Sequence, residues 1–213
     1  NTSGKETVYA AEDREAYGTE KTIHLHTAGG QLASLTKEVV VGEPYGTLPT
    51  PVREGYVFEG WYDKNLEGVR VNETTTVLSA VNSLYAYWTP ISVRVDLYGN
   101  GAEKFEDTSI SVTYGRTFVD LPELKRENYE FEGWYTAYSG GKRIANDSLV
   151  EFTSNTALYA QWRGKVVEVS FDAQSAGKTI ESIKVEYGKA YGELPYLSKE
   201  GHVFAGWYLA ENG

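Results

Sequence analysis

The 213-residue chain contains no cysteine and no methionine, and only six prolines. Because it has no cysteine, it forms neither a disulfide nor a thiolate metal site, which excludes the disulfide-stapled class of small secreted domains. No apolar run approaches the roughly 18–20 residues that a membrane-spanning helix needs. The opening residues, NTSGKETVYA, do not have the pattern of a signal peptide, and we expect the chain to be part of a longer protein.

Positive charge is also scarce. The chain has 20 Lys and Arg residues against 30 Asp and Glu, which gives a net charge of −10 and a pI near 4.9. A surface with this excess of negative charge repels nucleic acid and anionic lipid. We therefore expect neither a nucleic-acid partner nor direct insertion of this segment into a membrane.

Aromatic residues, in contrast, are abundant, and they recur at a fixed interval. The pentapeptide FEGWY occupies residues 58–62 and again 131–135, and FAGWY occupies 204–208. Each segment pairs a glycine with a tryptophan, and successive pairs are 73 residues apart: Gly60 with Trp61, Gly133 with Trp134, and Gly206 with Trp207. A fixed period of this length indicates small modules in tandem rather than the shorter repeats that stack as solenoids.

Each repeat shows the same series of predicted strands. An alternating first strand and a glycine-containing turn lead into a second strand, and the two form a predicted hairpin: 22–27 with 36–42, 92–98 with 108–115, and 167–173 with 181–188. A proline-containing crossover leaves room for one helical turn. The GWY segment, first at residues 56–63, is the third strand, and a fourth strand at 83–88 and 157–162 ends in Trp88 and Trp162. The predicted fold is α+β in class and predominantly β.

The period also predicts how the chain is divided. Residues 1–20 are expected to be the tail of a preceding repeat plus a linker, and the repeats to span 21–89, 90–163 and 164–213. The third repeat stops before its fourth strand, which the segment 6–12 resembles. Two interpretations stay open: a simple boundary of the chain, or completion of one molecule's third repeat by the N-terminal segment of another.

The connections between repeats are short, at residues 88–92 and 162–166. Proline fixes the backbone and glycine frees it, so Pro90 is expected to stiffen the first joint and Gly164 to loosen the second. This predicts a semi-rigid rod with a preferred bend at residues 162–166.

The motifs that carry a family resemblance are Val169–Asp172, Gly29–Gly30, Val112–Gly115, Leu48–Tyr62 and Leu158–Trp162. Together they resemble the Listeria–Bacteroides repeat, the B-repeat of internalin-type surface proteins, from about residue 21 onward. The sequence departs from that pattern at His26, which replaces an Asp, and at His202, which replaces a Tyr. The resemblance implies a small β-grasp, ubiquitin-like module, used in tandem on bacterial cell-surface proteins and often linked to adhesion.

The GWY segment poses a packing problem that glycine can solve. Strict alternation along residues 56–62 would place the large ring of Trp61 on the same exposed face as Glu59. A bulge at Gly60 would turn that ring inward, because glycine inside a strand often marks a bulge. We therefore predict a structural signature rather than an exposed platform for sugar rings: Gly60, Trp61, Trp88, Gly133, Trp134, Trp162, Gly206 and Trp207.

Two patterns suggest metal ligands but fit surface positions better. His24 and His26 face one side of a strand, yet the positions assigned to them in the other repeats are Arg94 with Asp96 and Ser170 with Asp172, which indicates a solvated face. Residues 96–107 partly match a calcium loop, but Tyr98 and Lys104 occupy ligand positions, so a long hairpin turn is predicted. No metal and no cofactor is predicted.

No combination of residues suggests catalysis, since the three histidines occupy unrelated repeat positions and no phosphate-binding loop occurs. We predict a monomeric, non-enzymatic segment, extracellular at the bacterial cell surface or cell wall. Its expected role is a semi-rigid stalk or spacer and an adhesion module. The expected partner is a host, matrix or surface protein, bound for example at a sheet edge, or a glycan. The alternative is a carbohydrate-binding module that uses exposed loop tyrosines, Tyr138 and Tyr45.

Overall fold

A computed structural model describes residues 17–209 of the chain, so the N-terminal segments 1–11 and 6–12 lie outside the described residues. The first five strands form one sheet in the order β2-β1-β5-β3-β4: β1 is Glu20–His26, β2 Thr36–Val40, β3 Tyr56–Tyr62, β4 Arg70–Val71 and β5 Ser83–Pro90. The predicted hairpin is present, because β1 pairs antiparallel with β2. β5 is the central strand, parallel to β1 and antiparallel to β3.

The next five strands repeat this order. They form a sheet with the order β7-β6-β10-β8-β9: β6 is Ser92–Tyr98, β7 Thr108–Thr113, β8 Tyr129–Tyr135, β9 Arg143–Ile144 and β10 Thr156–Gly164. The two-residue strands β4 and β9 were not predicted, because a pair of residues has no periodicity to detect. Residues 99–107 connect β6 to β7, which confirms the predicted long hairpin turn.

The described part of the third repeat, up to residue 209, has a two-stranded sheet formed by β11 (Val166–Val169) and β12 (Ile183–Glu186). The prediction of a third strand at its GWY segment is wrong, because residues 203–208 have no strand assignment. In the first two sheets the corresponding strand pairs with the central fourth strand. Among residues 17–209, no strand lies beside residues 203–208 to pair with them.

Helical structure in residues 17–209 is confined to one 3₁₀ turn, Gln174–Ala176, so the predominantly β part of the prediction is confirmed. No helix in this part of the chain is long and apolar enough to cross a bilayer.

One face of the first sheet carries the hydrophobic core. Ile23 and Leu25 on β1 and Leu84 and Ala86 on β5 are buried, whereas the residues between them face outward. This alternation follows from the two-residue period of a strand.

The described chain divides into two compact units. The first comprises the residues up to Arg94 with Ser111–Thr117 and Leu149–Thr156, and it contains the whole first sheet. The second comprises Val95–Ile110, Phe118–Ser148 and the residues from Ala157 onward. The division cuts through the second repeat, and the first unit includes Tyr114, which packs against Gly55.

Candidate functional site

The GWY tryptophan is anchored inside each repeat by one recurring hydrogen bond. A register shift between Phe58 and Gly60 marks the predicted bulge, and Trp61 beyond it is only 2% exposed. Its indole Nε1 donates to the carbonyl oxygen of Pro49 at 2.8 Å. The same bond joins Trp134 to Pro122 at 2.8 Å and Trp207 to Pro195 at 2.7 Å. The proline that stands 12 residues before each tryptophan thus supplies the acceptor that fixes the crossover to the core.

The glycine of the GWY segment has a second role on the outer face of the sheet. Gly60 has φ +140°, and a Cβ there would lie 2.7 Å from Arg70 Nε. Gly133 has φ +120°, and a Cβ there would lie 2.8 Å from Arg143 Nε. The absence of a side chain therefore lets an arginine from the neighbouring short strand lie across the bulge.

A row of aromatic side chains crosses the outer face of the first sheet. His26 pairs in register with Tyr85, Tyr85 with Tyr62, and Tyr62 with Arg70. The His26 and Tyr85 rings stack at 4.7 Å with an interplanar angle of 10°. Tyr62 stacks on Tyr87 at 3.9 Å. Stacking of this kind covers the ring faces, so the row ties strands together rather than forming an open platform.

The second sheet carries the equivalent row. Tyr159 pairs in register with Tyr135, and Tyr135 with Arg143. Tyr98 stacks on Tyr159 at 5.2 Å, as His26 does on Tyr85. His26 therefore corresponds to Tyr98 and not to Asp96, so the earlier assignment of equivalent positions in the second repeat is wrong by two residues.

The second tryptophan of each complete repeat links the fourth strand to the end of the first. Trp88 Nε1 donates to the carbonyl oxygen of Thr27 at 2.8 Å, and Trp162 Nε1 donates to that of Gly99 at 3.2 Å. A Cβ at Gly30 would lie 2.5 Å from the Trp88 ring. The glycine of the hairpin turn thus makes room for this tryptophan, which is half-buried against Phe58.

A joint between the first two repeats lies within the first unit. Ile91 N donates to the Gly55 carbonyl oxygen at 3.0 Å, and Tyr114 N donates to that of Ile91 at 2.9 Å. The Tyr56 and Tyr114 rings meet edge to face at 5.7 Å. Packing is reciprocal: a Cβ at Gly55 would lie 2.3 Å from the Tyr114 ring, and a Cβ at Gly115 would lie 3.3 Å from the Tyr56 hydroxyl.

The second unit contains a joint with the same bonds. Lys165 N donates to the Asn128 carbonyl oxygen at 2.8 Å, and Tyr187 N donates to that of Lys165 at 2.9 Å. Tyr129 and Tyr187 meet edge to face at 5.4 Å, and the Tyr129 hydroxyl lies 2.8 Å from a Cβ placed on Gly188. The segments REGY and VTYG, which look unrelated in the sequence, are therefore two halves of one contact. The 73-residue period relates each half to its copy in the next repeat, and it carries no signal that pairs one half with the other.

The expectation that Gly164 loosens the second joint is wrong. Gly164 is buried at the end of β10, and a Cβ there would lie 2.0 Å from the Tyr187 carbonyl oxygen. It allows close approach of two backbones and does not act as a hinge. The difference between the joints lies at Gly55 and Asn128, both with positive φ, because only glycine leaves space for a tyrosine ring against its Cα.

Of the two tyrosines predicted as ligand contacts, one is misplaced. Tyr45 is only 4% exposed and belongs to the first core, so its prediction as an exposed contact is wrong. Burial, with a smaller contribution from the Asp63 carboxylate, raises the pKa of its hydroxyl. Tyr138 is 71% exposed, and its ring meets Tyr159 edge to face at 6.4 Å.

The candidate metal ligands do not converge. His24 and His26 are both exposed, and His26 Nε2 lies 3.2 Å from Ser83 Oγ. Asp107, from the calcium-like segment, accepts a hydrogen bond from Gly99 N at 2.9 Å. Within residues 17–209, no group of three or more His, Asp or Glu side chains is placed to hold a metal ion, and no polar or charged side chain is buried.

Comparison with known proteins agrees with the repeated geometry. Residues 22–87, 96–161 and 168–213 match the sequence model described as the Listeria-Bacteroides repeat domain. A "Putative Gly-rich membrane protein" of Evansella cellulosilytica is 28% identical over 208 residues, covering 95% of this chain and 22% of the relative. Internalin H of Listeria monocytogenes is 31% identical over 113 residues, covering 53% of this chain and 20% of the relative. The chain spans about a fifth of the length of each of these relatives.

Proposed function

The chain belongs to the Listeria-Bacteroides repeat domain family, and on this premise we propose that it is a non-enzymatic spacer in the repeat region of a bacterial cell-surface protein. The proposal is carried by the joint, which recurs with the same two backbone hydrogen bonds and the same edge-to-face tyrosine pair. A flexible string of modules would need no specific contact between neighbours. A joint built twice from the same positions favours a semi-rigid array.

We further propose that each complete repeat is a β-grasp module. The strand order β2-β1-β5-β3-β4, with a parallel central pair, supports this arrangement. The crossover between the second and third strands is irregular rather than helical, since prolines such as Pro49 and Pro51 interrupt it. The tryptophan-to-proline hydrogen bond then holds the crossover against the sheet. The repeat boundaries at residues 21–89, 90–163 and 164–213 are part of this proposal.

Small-angle scattering tests the spacer. A compact globule of 213 residues would have a radius of gyration of about 17 Å. Three modules of roughly 30 Å in line would form a rod about 90 Å long, and a rod of that length has a larger radius of gyration than the globule. We expect a radius of gyration well above the compact value. A double variant, Tyr56→Ala with Tyr129→Ala, removes one ring from each joint and should broaden the distribution of interatomic distances. Tyr191→Ala, an exposed tyrosine outside the joints, is the matched control. A compact particle, or equal profiles for all three proteins, would contradict the proposal.

The proposed location is the bacterial cell envelope, with this segment outside the cell and monomeric. The relatives named as a membrane protein and as Internalin H support it. Adhesion to a host, matrix or surface protein, or to a glycan, follows only from family membership. Beads coated with the chain should bind cells or matrix above the level of beads coated with an unrelated protein, and equal binding would remove adhesion from the proposal.

Glycan binding remains the second candidate because of one observation, the 71% exposure of Tyr138 beside Tyr159. An exposed ring supported by a second aromatic residue is a common way to hold a sugar face. A glycan array should give a hit that Tyr138→Ala abolishes and Tyr191→Ala leaves intact. No hit, or a hit insensitive to Tyr138→Ala, would leave the spacer function alone.

A further inference from the structure

We propose that the parallel pair of first and fourth strands in each complete repeat is a mechanical clamp that resists tension along the chain. The proposal rests on the spacer function, because only a segment that joins a surface to something pulled away from it carries tension. It concerns the strength of one repeat, whereas the spacer proposal concerns how repeats are joined.

The clamp follows from strand direction. The chain enters the first sheet at the start of β1 and leaves it at the end of β5, and these two strands are parallel neighbours. The entry and exit points therefore lie at opposite ends of one strand pair. Tension applied between them makes β1 and β5 slide past each other, and all the bonds between the two strands resist together. A pair that is pulled apart from one shared end breaks its bonds one after another.

Three sets of contacts join β1 and β5: the backbone ladder in the plane of the sheet, a ring stack on its outer face, and a tryptophan hydrogen bond at the end of the pair. In the plane of the sheet, His24, Leu25 and His26 pair with Ser83, Leu84 and Tyr85, and His24 N donates to the Asn82 carbonyl oxygen at 3.0 Å. On the outer face, His26 stacks on Tyr85.

At the end of the pair, Trp88 Nε1 donates to the Thr27 carbonyl oxygen at 2.8 Å. This bond closes the pair where β5 leaves the sheet, so sliding must break it together with the ladder. Thr27 directly follows β1 and Trp88 lies near the end of β5, which places the bond beside the chain's exit point.

The second repeat has the same reinforcement between β6 and β10. Tyr98 stacks on Tyr159, and Trp162 Nε1 donates to the Gly99 carbonyl oxygen. Asn100 Nδ2 adds a bond to the Ala160 carbonyl oxygen at 2.8 Å. In both complete repeats, one aromatic stack and the second tryptophan therefore reinforce the same pair of strands, the first and the fourth.

The connection between repeats passes tension on directly. β5 ends at Pro90 and β6 begins at Ser92, so only Ile91 separates them. Ile91 is itself held by hydrogen bonds to Gly55 and Tyr114. Little slack can be drawn out before the strand pairs are loaded.

Single-molecule pulling on the full chain tests the clamp by direction. Because the chain has no cysteine, introduced thiols give unique attachment points. Glu20→Cys with Thr89→Cys pulls β1 against β5, whereas Glu54→Cys with Thr89→Cys opens β3 and β5 from the end where Tyr56 pairs with Pro90. All three positions are exposed. At equal pulling speed, unfolding should need a larger force when the chain is held at positions 20 and 89 than when it is held at positions 54 and 89. An equal or smaller force would overturn the proposal.

Two substitutions test the proposed bonds in that sliding geometry. Trp88→Phe keeps a ring but removes the indole donor, and at fixed force it should speed unfolding roughly 2- to 10-fold, because forced unfolding follows the unfolding rate. His26→Ala removes the outer stack and should act in the same direction. Tyr62→Ala is the matched control, since it removes a ring stacked across β3 and β5. If Tyr62→Ala speeds unfolding in the sliding geometry as much as His26→Ala does, the clamp is refuted. Scattering of the same variants tests the spacer separately.

Discussion

Truncation of Trp61 should destabilise the first sheet selectively. Trp61 is 2% exposed, packs edge to face on Phe58 at 5.6 Å and donates to Pro49 at 2.8 Å. Replacing a buried tryptophan with alanine costs about 3–5 kcal/mol. Trp61→Phe keeps most of the buried area but leaves the Pro49 carbonyl unpaired, which should cost about 1–3 kcal/mol. Since small domains are stable by about 5–15 kcal/mol, the alanine variant removes a large share.

Amide hydrogen exchange on the full chain measures this loss sheet by sheet, because exchange reports the opening free energy of each region. For Trp61→Ala, exchange of core amides in β1 and β5, such as those of Ile23 and Ala86, should accelerate by about 2 to 3.5 orders of magnitude. Amides of β6 and β10 should change far less. Trp134→Ala is the matched control and should give the reverse pattern.

An acceleration of the first sheet by less than tenfold would refute the reasoning that Trp61 anchors the crossover to the core. Equal acceleration of both sheets by either variant would refute the treatment of the repeats as separately stabilised modules.

Three further outcomes are expected. Gly55→Ala places a methyl group 2.3 Å from the Tyr114 ring at φ +74°, where an alanine backbone is strained, so the joint should loosen and small-angle scattering should show a broader distribution of interatomic distances, together with a lower thermal stability of the first sheet. Burial raises the pKa of the Tyr45 hydroxyl, so as the pH rises this hydroxyl loses its proton in the unfolded state before it does so in the folded state. The free energy of unfolding should therefore fall as the pH rises above about 10. Tyr45→Phe should flatten this part of the profile of stability against pH. Tyr138→Ala, at a 71% exposed site, should change the free energy of unfolding by less than about 0.5 kcal/mol in chemical denaturation.

The strand pattern of a complete repeat was readable from the sequence because each strand carries its own period. The hairpin of β1 and β2 and the bulge at Gly60 follow from alternation and from the special freedom of glycine. The third repeat shows the limit of local reading. Its segment FAGWY differs from FEGWY only at Ala205 but is not a strand, because a strand needs a neighbouring strand to supply hydrogen bonds and none lies beside it among the described residues.

Burial of single side chains in loops was harder to predict. Tyr45 and Tyr138 both lie in connections between strands, yet one is in the core and the other in solvent. No periodicity distinguishes them, since a loop has none. Gly164 was mistaken for a hinge for a similar reason. Glycine makes an exposed linker flexible, but in a packed region it allows two backbones to approach closely, and the sequence does not show which environment applies.

The sequence by itself determined the repeat, its family and the identity of the core strands, because spacing, alternation and turn residues are local properties of the chain. Only the tertiary structure decided what the residues at the repeated positions contact. Tyr56 meets Tyr114, and Trp88 meets Thr27, across 58 and 61 residues of chain. Contacts at such separations depend on where the strands cross and which edges meet. Those choices are set by the packing of the whole sheet, and the joint and the clamp follow from them.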